Sequence, residues 1–193
     1  MKAISLLILS LLTSILFSFS PESKKYIVID AGHGGEDTGV SFEGVNEKDI
    51  VLNIAQQIKK VSDIKGKYEI ILTRDRDINS TLSERTGKIN RLNPEMVISL
   101  HVNRTAQPQS ERVGHEIFIQ KNQSSRVLAE KLQKKLGDCP IKEENLYILR
   151  ESKSPALVLE LGFINNNKDK AYMNSEKGQR EIAEKIADFI NEN

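Results

Sequence analysis

The chain has 193 residues, with 28 basic and 27 acidic side chains and a formal net charge of +1 at pH 7. That balance gives no reason to expect nucleic acid or an acidic membrane surface as partner. Trp is absent and aromatic residues make up only 5%, which argues against an aromatic stacking platform. One domain is expected, because a chain of roughly 150 residues already hides about 68–70% of its unfolded surface.

The first twenty residues stand apart. Lys2 precedes Ala3–Phe19, a 17-residue stretch without charge, and small residues at Ser18 and Ser20 lead into the polar run 21–25. Residues 1–20 read as a secretory signal peptide. The alternative is a retained N-terminal anchor, because 17 uncharged residues approach the minimum length of a membrane span. Pro21, just past the cut, would also hinder cleavage. Either way the domain is expected to be exported, to a periplasm, the cell envelope or the extracellular space. Membrane contact is expected only if the segment is retained.

Tyr26–Asp30 is a β-branched run ending at a turn signal, Ala31-Gly32. Glu47–Val61 has helical spacing, with Ile50, Val51, Ile54, Ala55, Ile58 and Val61 on one face. Glu69–Thr73 reads as a strand, Thr81–Asn90 as a helix, and Met96–Leu100 as a strand buried on both faces. Glu116–Ile119 is a further strand, Ser124–Leu136 a helix, and Leu146–Leu149 a short edge strand. Leu157–Leu161 is an apolar run broken by one acid, Glu160, and Ser175–Asn191 is the closing helix. Strands alternating with helices predict a single α/β domain, a mostly parallel sheet with helices on both faces. Cys139 is the one cysteine, so no intrachain disulfide can form. Its neighbours Gly137, Asp138 and Pro140 read as a turn that offers nothing to activate the thiol.

In such a sheet, functional groups gather where strands end. The chain has three histidines, and two of them, His33 and His101, follow strand runs. His33 lies among glycines in Asp30-Ala31-Gly32-His33-Gly34-Gly35. A phosphate-cradling reading of that loop fails, since neither the dinucleotide nor the Walker spacing is present. Alone, His101 reads more readily as a hydrogen-bonded structural residue than as a ligand. Two histidines at neighbouring strand ends point to a metal, for which imidazole is a common ligand. A catalytic zinc site needs a third ligand, and Glu36, Asp37, Glu43, Glu47 and Asp49 are all candidates. Glu47 suits a helix start that Asn46 can cap, but spacing leaves the choice open. Glu160, within an apolar strand, needs a partner for its charge. That partner is either a metal-bound water, for which it would serve as general base, or an arginine such as Arg74 or Arg85.

These segments together resemble the catalytic domain of zinc-dependent N-acetylmuramoyl-L-alanine amidases of bacteria. The resemblance is carried by 30–39 (Asp-Ala-Gly-His-Gly-Gly-Glu-Asp-Thr-Gly), Asn46-Glu47-Lys48-Asp49 with Leu52, Thr73-Arg74, Leu82 with Arg85 and Asn90, Ser99–Asn103, and Leu157–Asn166. It covers about residues 26–191. It implies Zn2+ held by His33, Glu47 and His101, with Glu160 as general acid/base on a zinc-bound water. The implied reaction cleaves the amide between N-acetylmuramic acid and L-alanine of peptidoglycan. A metallopeptidase cutting within the stem peptide is the nearest rival, and a non-catalytic envelope scaffold the rival from another class.

The stretch from His101 to Gly114 is 12 residues long and contains Pro108, too short for the occluding helix of inactive family members. No cell-wall-binding module is recognisable, so localisation is expected to come from the signal, an anchor, an envelope activator protein or the cleft itself. A monomer is expected. Asp30 is read as a hydrogen-bond partner of His33, Asn103 as orienting substrate or capping locally, Arg74 as structural, and His115 as non-catalytic.

Overall fold

β-branched and leucine-rich runs pair into one sheet, and their order decides which strand ends meet. The computed structural model describes residues 25–193, so the signal-peptide expectation for 1–20 lies outside the described residues. The strands are β1 (Tyr26–Ala31), β2 (Ser41–Phe42), β3 (Val45–Asn46), β4 (Glu69–Leu72), β5 (Met96–Asn103), β6 (Glu116–Ile119), β7 (Ile141–Glu143) and β8 (Ala156–Phe163). The helices are α1 (Glu47–Lys65), α2 (Leu82–Leu92), α3 (Gln123–Leu136), α4 (Tyr147–Glu151), α5 (Asn167–Met173) and α6 (Glu176–Glu192). Six strands form a sheet in the order β4-β1-β5-β8-β6-β7, and β2 with β3 forms a separate hairpin. All neighbours in the large sheet are parallel except β6 and β8.

Alternation along each strand divides the core into two layers. Ile27, Ile29, Ile98, Leu100 and Leu159 face α1, α3 and α6, meeting Ile54, Leu132 and Ile186. Val28, Val97 and Val158 face the other way, against Ile89 of α2 and Ile148 and Leu149 of α4. This second layer is smaller because the same alternation turns polar toward one end of the sheet. Asp30 pairs in register with Ser99, His101 with Glu160, and Glu160 with Glu116. The polar row therefore crosses β1, β5, β8 and β6 on one face.

The expected mostly parallel α/β domain with helices on both faces is observed. One expected element is overturned: Leu146–Leu149 is not an edge strand. Residues 147–151 form α4, closed by Arg150 N–H on the Leu146 carbonyl at 3.0 Å. Both sides of β8 are already paired, and the edge is taken instead by β7, whose Lys142 and Glu143 suit an exposed edge. α5 went unread, although Asn166 caps it by accepting from the Lys168 and Asp169 N–H groups. No helix among the described residues is long and apolar enough to cross a membrane.

Ile98 is fully buried at the centre of β5, whereas Ile64 near the end of α1 is 81% exposed. Ile98→Ala should cost about 2–5 kcal/mol in urea unfolding, and Ile64→Ala should stay within about 0.5 kcal/mol of wild type.

Candidate metal centre

The loop leaving β1 must hold His33 over the sheet end, with its backbone in the left-handed region at φ 58°. That conformation is uncommon for a residue with a Cβ, so neighbouring bonds must impose it. Arg74, nearly wholly buried, donates from Nε to the Ala31 carbonyl at 2.9 Å. Its Nη2 donates to the carbonyls of Gly32 and Lys48, at 2.8 Å each. Arg85 donates to the carbonyls of Ala31 (2.6 Å) and His33, and to Asp30 Oδ1 at 2.8 Å. Asp30 also accepts from the Thr73 and Ser99 hydroxyls, each at 2.6 Å. Burial alone would raise the Asp30 pKa, but the Arg85 charge and these donors outweigh it and hold the carboxyl below its usual value.

Two expectations are corrected here. Asp30 is not the partner of His33, because β1 alternation turns it toward Ser99 and Arg85. The partner is Asp37, whose Oδ2 lies 2.8 Å from His33 Nδ1. Asp37 Oδ1 also accepts from the Gly39 N–H at 3.0 Å, a two-residue Asx turn that the Asp-Thr-Gly triplet itself signals. Arg85, weighed above as an ion-pair partner for Glu160, belongs instead to Asp30, and Arg74 is the structural residue expected.

Glu47 opens α1, nearly fully buried at 2% exposure. Its Oε1 lies 3.1 Å from His33 Nε2 and 2.9 Å from His101 Nδ1, and accepts from the Val102 N–H at 2.9 Å. Its Oε2 accepts from the Val40 N–H at 2.9 Å. Asn46 precedes the helix but makes no side-chain cap, another correction. It bonds Ser41 Oγ and Asp49 instead, within the β2–β3 hairpin and the first turn of α1. The two imidazoles meet edge-on, with centroids 5.0 Å apart and planes at 83°. One ligand atom from each of His33, Glu47 and His101 lies within 4.8 Å of the others, so the trio could hold a metal ion. Two imidazoles and a carboxylate make a donor set suited to zinc. The remaining acids weighed for the third position do not join the cluster.

Close backbone approach makes two glycines obligatory. A Cβ on Gly32 would sit 2.5 Å from His101 Cε1. At Gly39, with φ +63°, it would sit 2.4 Å from Glu47 Oε2.

Glu160 stands beside His101 across the β5–β8 pair. Its Oε2 is buried and has no hydrogen-bond partner. Burial pushes its pKa up to about 7. Glu47 and Glu116 add to that, while the charges of His101 and His33 oppose it. A carboxyl oxygen left without a partner beside a possible metal cluster is a mark of a functional group. Sequence reasoning missed Asn165, which is fully buried. Its Nδ2 donates to the carbonyls of Thr105 and Gln107 at 3.2 and 2.8 Å, fastening the segment after His101 to the end of β8. Residues 104–115 contain no helix. His115 lies outside the cluster, and burial lowers its pKa. Cys139 is buried in the core with its thiol pushed up to about 11, a poor nucleophile.

Charge in the cluster links to stability. Burial alone would lower the His33 pKa, but hydrogen bonds and charge from Glu47 and Asp37 lift it from 6.5 to about 9. This raised value stabilises the metal-free fold fully below pH 6.5 and is lost as pH rises toward 9. Burial alone would raise the Glu47 pKa, but His101 and His33 hold it at about 2, so its contribution is lost as pH falls from 4.5 to 2. Chelator-treated protein should lose thermal stability between pH 6.5 and 9. His33→Gln should show a flat Tm over that window; an equal decline in the variant would refute the assignment.

A family model described as N-acetylmuramoyl-L-alanine amidase matches residues 27–192. Uncharacterized protein YqiI of Bacillus subtilis is 33% identical over 179 residues, covering 88% of this chain and 85% of its own. The catalytic domain of CwlV, an N-acetylmuramoyl-L-alanine amidase of Bacillus (Paenibacillus) polymyxa var. colistinus, superposes with a TM-score of 0.80 at 32% identity. That match covers 87% of this chain and 97% of that one. The CwlD amidase of Clostridioides difficile, solved in complex with the GerS lipoprotein, has a TM-score of 0.80 at 28% identity, covering 88% and 98%. Further curated relatives are longer, this chain spanning between 34% and 65% of their length. With its sheet shared with a solved amidase domain and nearly all of its described residues matched in this way, the chain belongs to the N-acetylmuramoyl-L-alanine amidase family of cell-wall hydrolases.

Proposed function

We propose that this protein hydrolyses the amide between the lactyl group of N-acetylmuramic acid and L-alanine in peptidoglycan, using Zn2+ held by His33, Glu47 and His101. The observation that carries the reading is the His–Glu–His cluster with an unpaired buried carboxyl, Glu160, on the neighbouring strand. Zinc bound there would act as a Lewis acid, polarising the scissile carbonyl and acidifying water. Asp37 fixes the His33 ring through Nδ1, so that Nε2 faces the cluster. Glu47 carries its charge without a proton, since its pKa is held at about 2.

Glu160 takes a proton from the attacking water and returns it to the departing alanine nitrogen. Its pKa of about 7 matches that double task near neutral pH. The products are a free lactyl carboxylate on the glycan and a free amine on the peptide. Export to the envelope follows from the substrate. An envelope activator protein fits the same reading; the similar CwlD amidase was solved in complex with a protein partner, the GerS lipoprotein.

Two outcomes test this. Purified peptidoglycan digested with wild type should yield intact stem peptides with N-terminal alanine, read by mass spectrometry. Glu160→Ala and chelator-treated protein should each lose at least about 100-fold in rate. Release of peptides cut within the stem would favour a metallopeptidase, and undiminished release by Glu160→Ala would refute the role given to that residue. Separately, Gly32→Ala should push the His101 ring aside and weaken zinc binding by about 10–100-fold in competition with a chromogenic chelator. Unchanged affinity would remove His101 from the ligand set.

A further inference from the structure

The polar row does not end at Glu160. The next strand places Glu116 directly opposite it, on the same face. The Glu116 side chain is only 5% exposed and collects three donors. Asn103 Nδ2 donates to its Oε2 at 3.0 Å, while Lys142 Nζ at 2.8 Å and Arg112 Nη2 both donate to Oε1. Two cations thus share one buried carboxylate, leaving a surplus positive charge at this end of the row.

Both cations remain open to a ligand. The Arg112 and Lys142 side chains are 54% and 40% exposed. Each is held from below: the Arg112 guanidinium lies 4.6 Å over the Phe163 ring, and Lys142 Nζ lies 5.6 Å over the Phe118 ring. A guanidinium has five N–H donors and an ammonium three, so most of their donors are unspent on Glu116. Glu143, next to Lys142, does not cancel the charge, because it pairs with Arg126 at 2.6 Å.

We infer that the Arg112–Lys142 pair, seated on Glu116, binds a carboxylate on the stem-peptide side of the substrate. The inference rests on the amidase reading above. Neighbouring strands are about 4.8 Å apart, so Glu116, on which the pair is seated, lies about 5 Å beyond Glu160 and about 10 Å beyond His101, with the Lys142 backbone one strand further out. An extended peptide advances about 3.3–3.6 Å per residue, so a group two residues from the scissile carbonyl reaches it. The glycan side cannot supply the anion: its sugars are uncharged, and its lactyl carboxyl is tied up in the scissile amide. A peptide ends in a carboxylate, and an acidic side chain within two residues of the scissile amide would place one nearer still. The cations therefore orient the substrate, with peptide toward β6 and β7 and glycan toward the opposite end of the row.

The test compares two soluble muramoyl dipeptides, one with a free carboxylate on the second residue and one with that group as the carboxamide. Wild type should show a KM about five- to tenfold lower for the acid, with similar kcat, as expected of a charge-assisted contact used in binding. Arg112→Gln and Lys142→Met should each shrink that ratio, and the double variant should bring it near one. Circular dichroism and thermal melts should show all three variants folded. Equal KM for the two substrates in wild type, or an unchanged ratio in the double variant, overturns the inference and leaves the amidase reading standing. If wild type cleaves neither compound nor peptidoglycan, the amidase reading falls and the inference with it.

Discussion

A single buried carboxylate, that of Glu47, ties together three parts of the chain that the sheet brings side by side. It sits at the first residue of α1 and accepts from the loop after β1, through His33 and Val40, and from the end of β5, through His101 and Val102. The bond from Val102 falls where the β5–β8 register shifts, so a local irregularity turns a backbone donor toward the site. An ionised group with this little exposure is costly, and here three contacts to Oε1 and one to Oε2 offset that cost. The cluster is therefore assembled by electrostatic necessity before any metal is considered.

Behind it lies a second set of buried charges with a different purpose. Asp30, Arg85 and Arg74 fill the space under the loop after β1 and saturate the carbonyls of Ala31, Gly32 and His33. These bonds impose the left-handed backbone that puts His33 above the sheet. The charges sit where the smaller core layer gives way, because polar residues replace apolar ones along the same alternating positions of β1, β5, β8 and β6. One sheet face thus serves as core at one end and as a polar row at the other.

At that end, the carboxylates are differentiated by their neighbours. Glu47 is held at about 2 by two imidazoles, Glu160 rises to about 7 because burial leaves it unpaired, and Glu116 is matched by Arg112, Lys142 and Asn103. Environments that push similar groups apart are what acid–base chemistry requires. The Arg112 and Lys142 cations on Glu116 continue the polar row beyond Glu160, toward β7.

Much of this was legible in the residues. Helical spacing in 47–61 and the β-branched runs at 26–30, 96–100 and 157–161 are local properties, and local packing periods report them faithfully. So do a histidine among glycines, a histidine after an apolar strand and an acid inside one. Their resemblance to one family singled out Glu47 among five acids, a choice that spacing alone left open. Other features depended on which atoms meet across the sheet. Leu146–Leu149 carried a strand-like run, yet no edge was open beside β8, and the segment coiled into α4. Asp30 stood closer in sequence to His33 than Asp37 did, but strand alternation turned it toward Arg85, while an Asx turn brought Asp37 onto the ring. Residue types and their order thus determined the elements, the fold class and the candidate donors. Pairing order and side-chain direction, which arise only when distant strands come into register, decided which donor meets which acceptor and which face of the sheet binds.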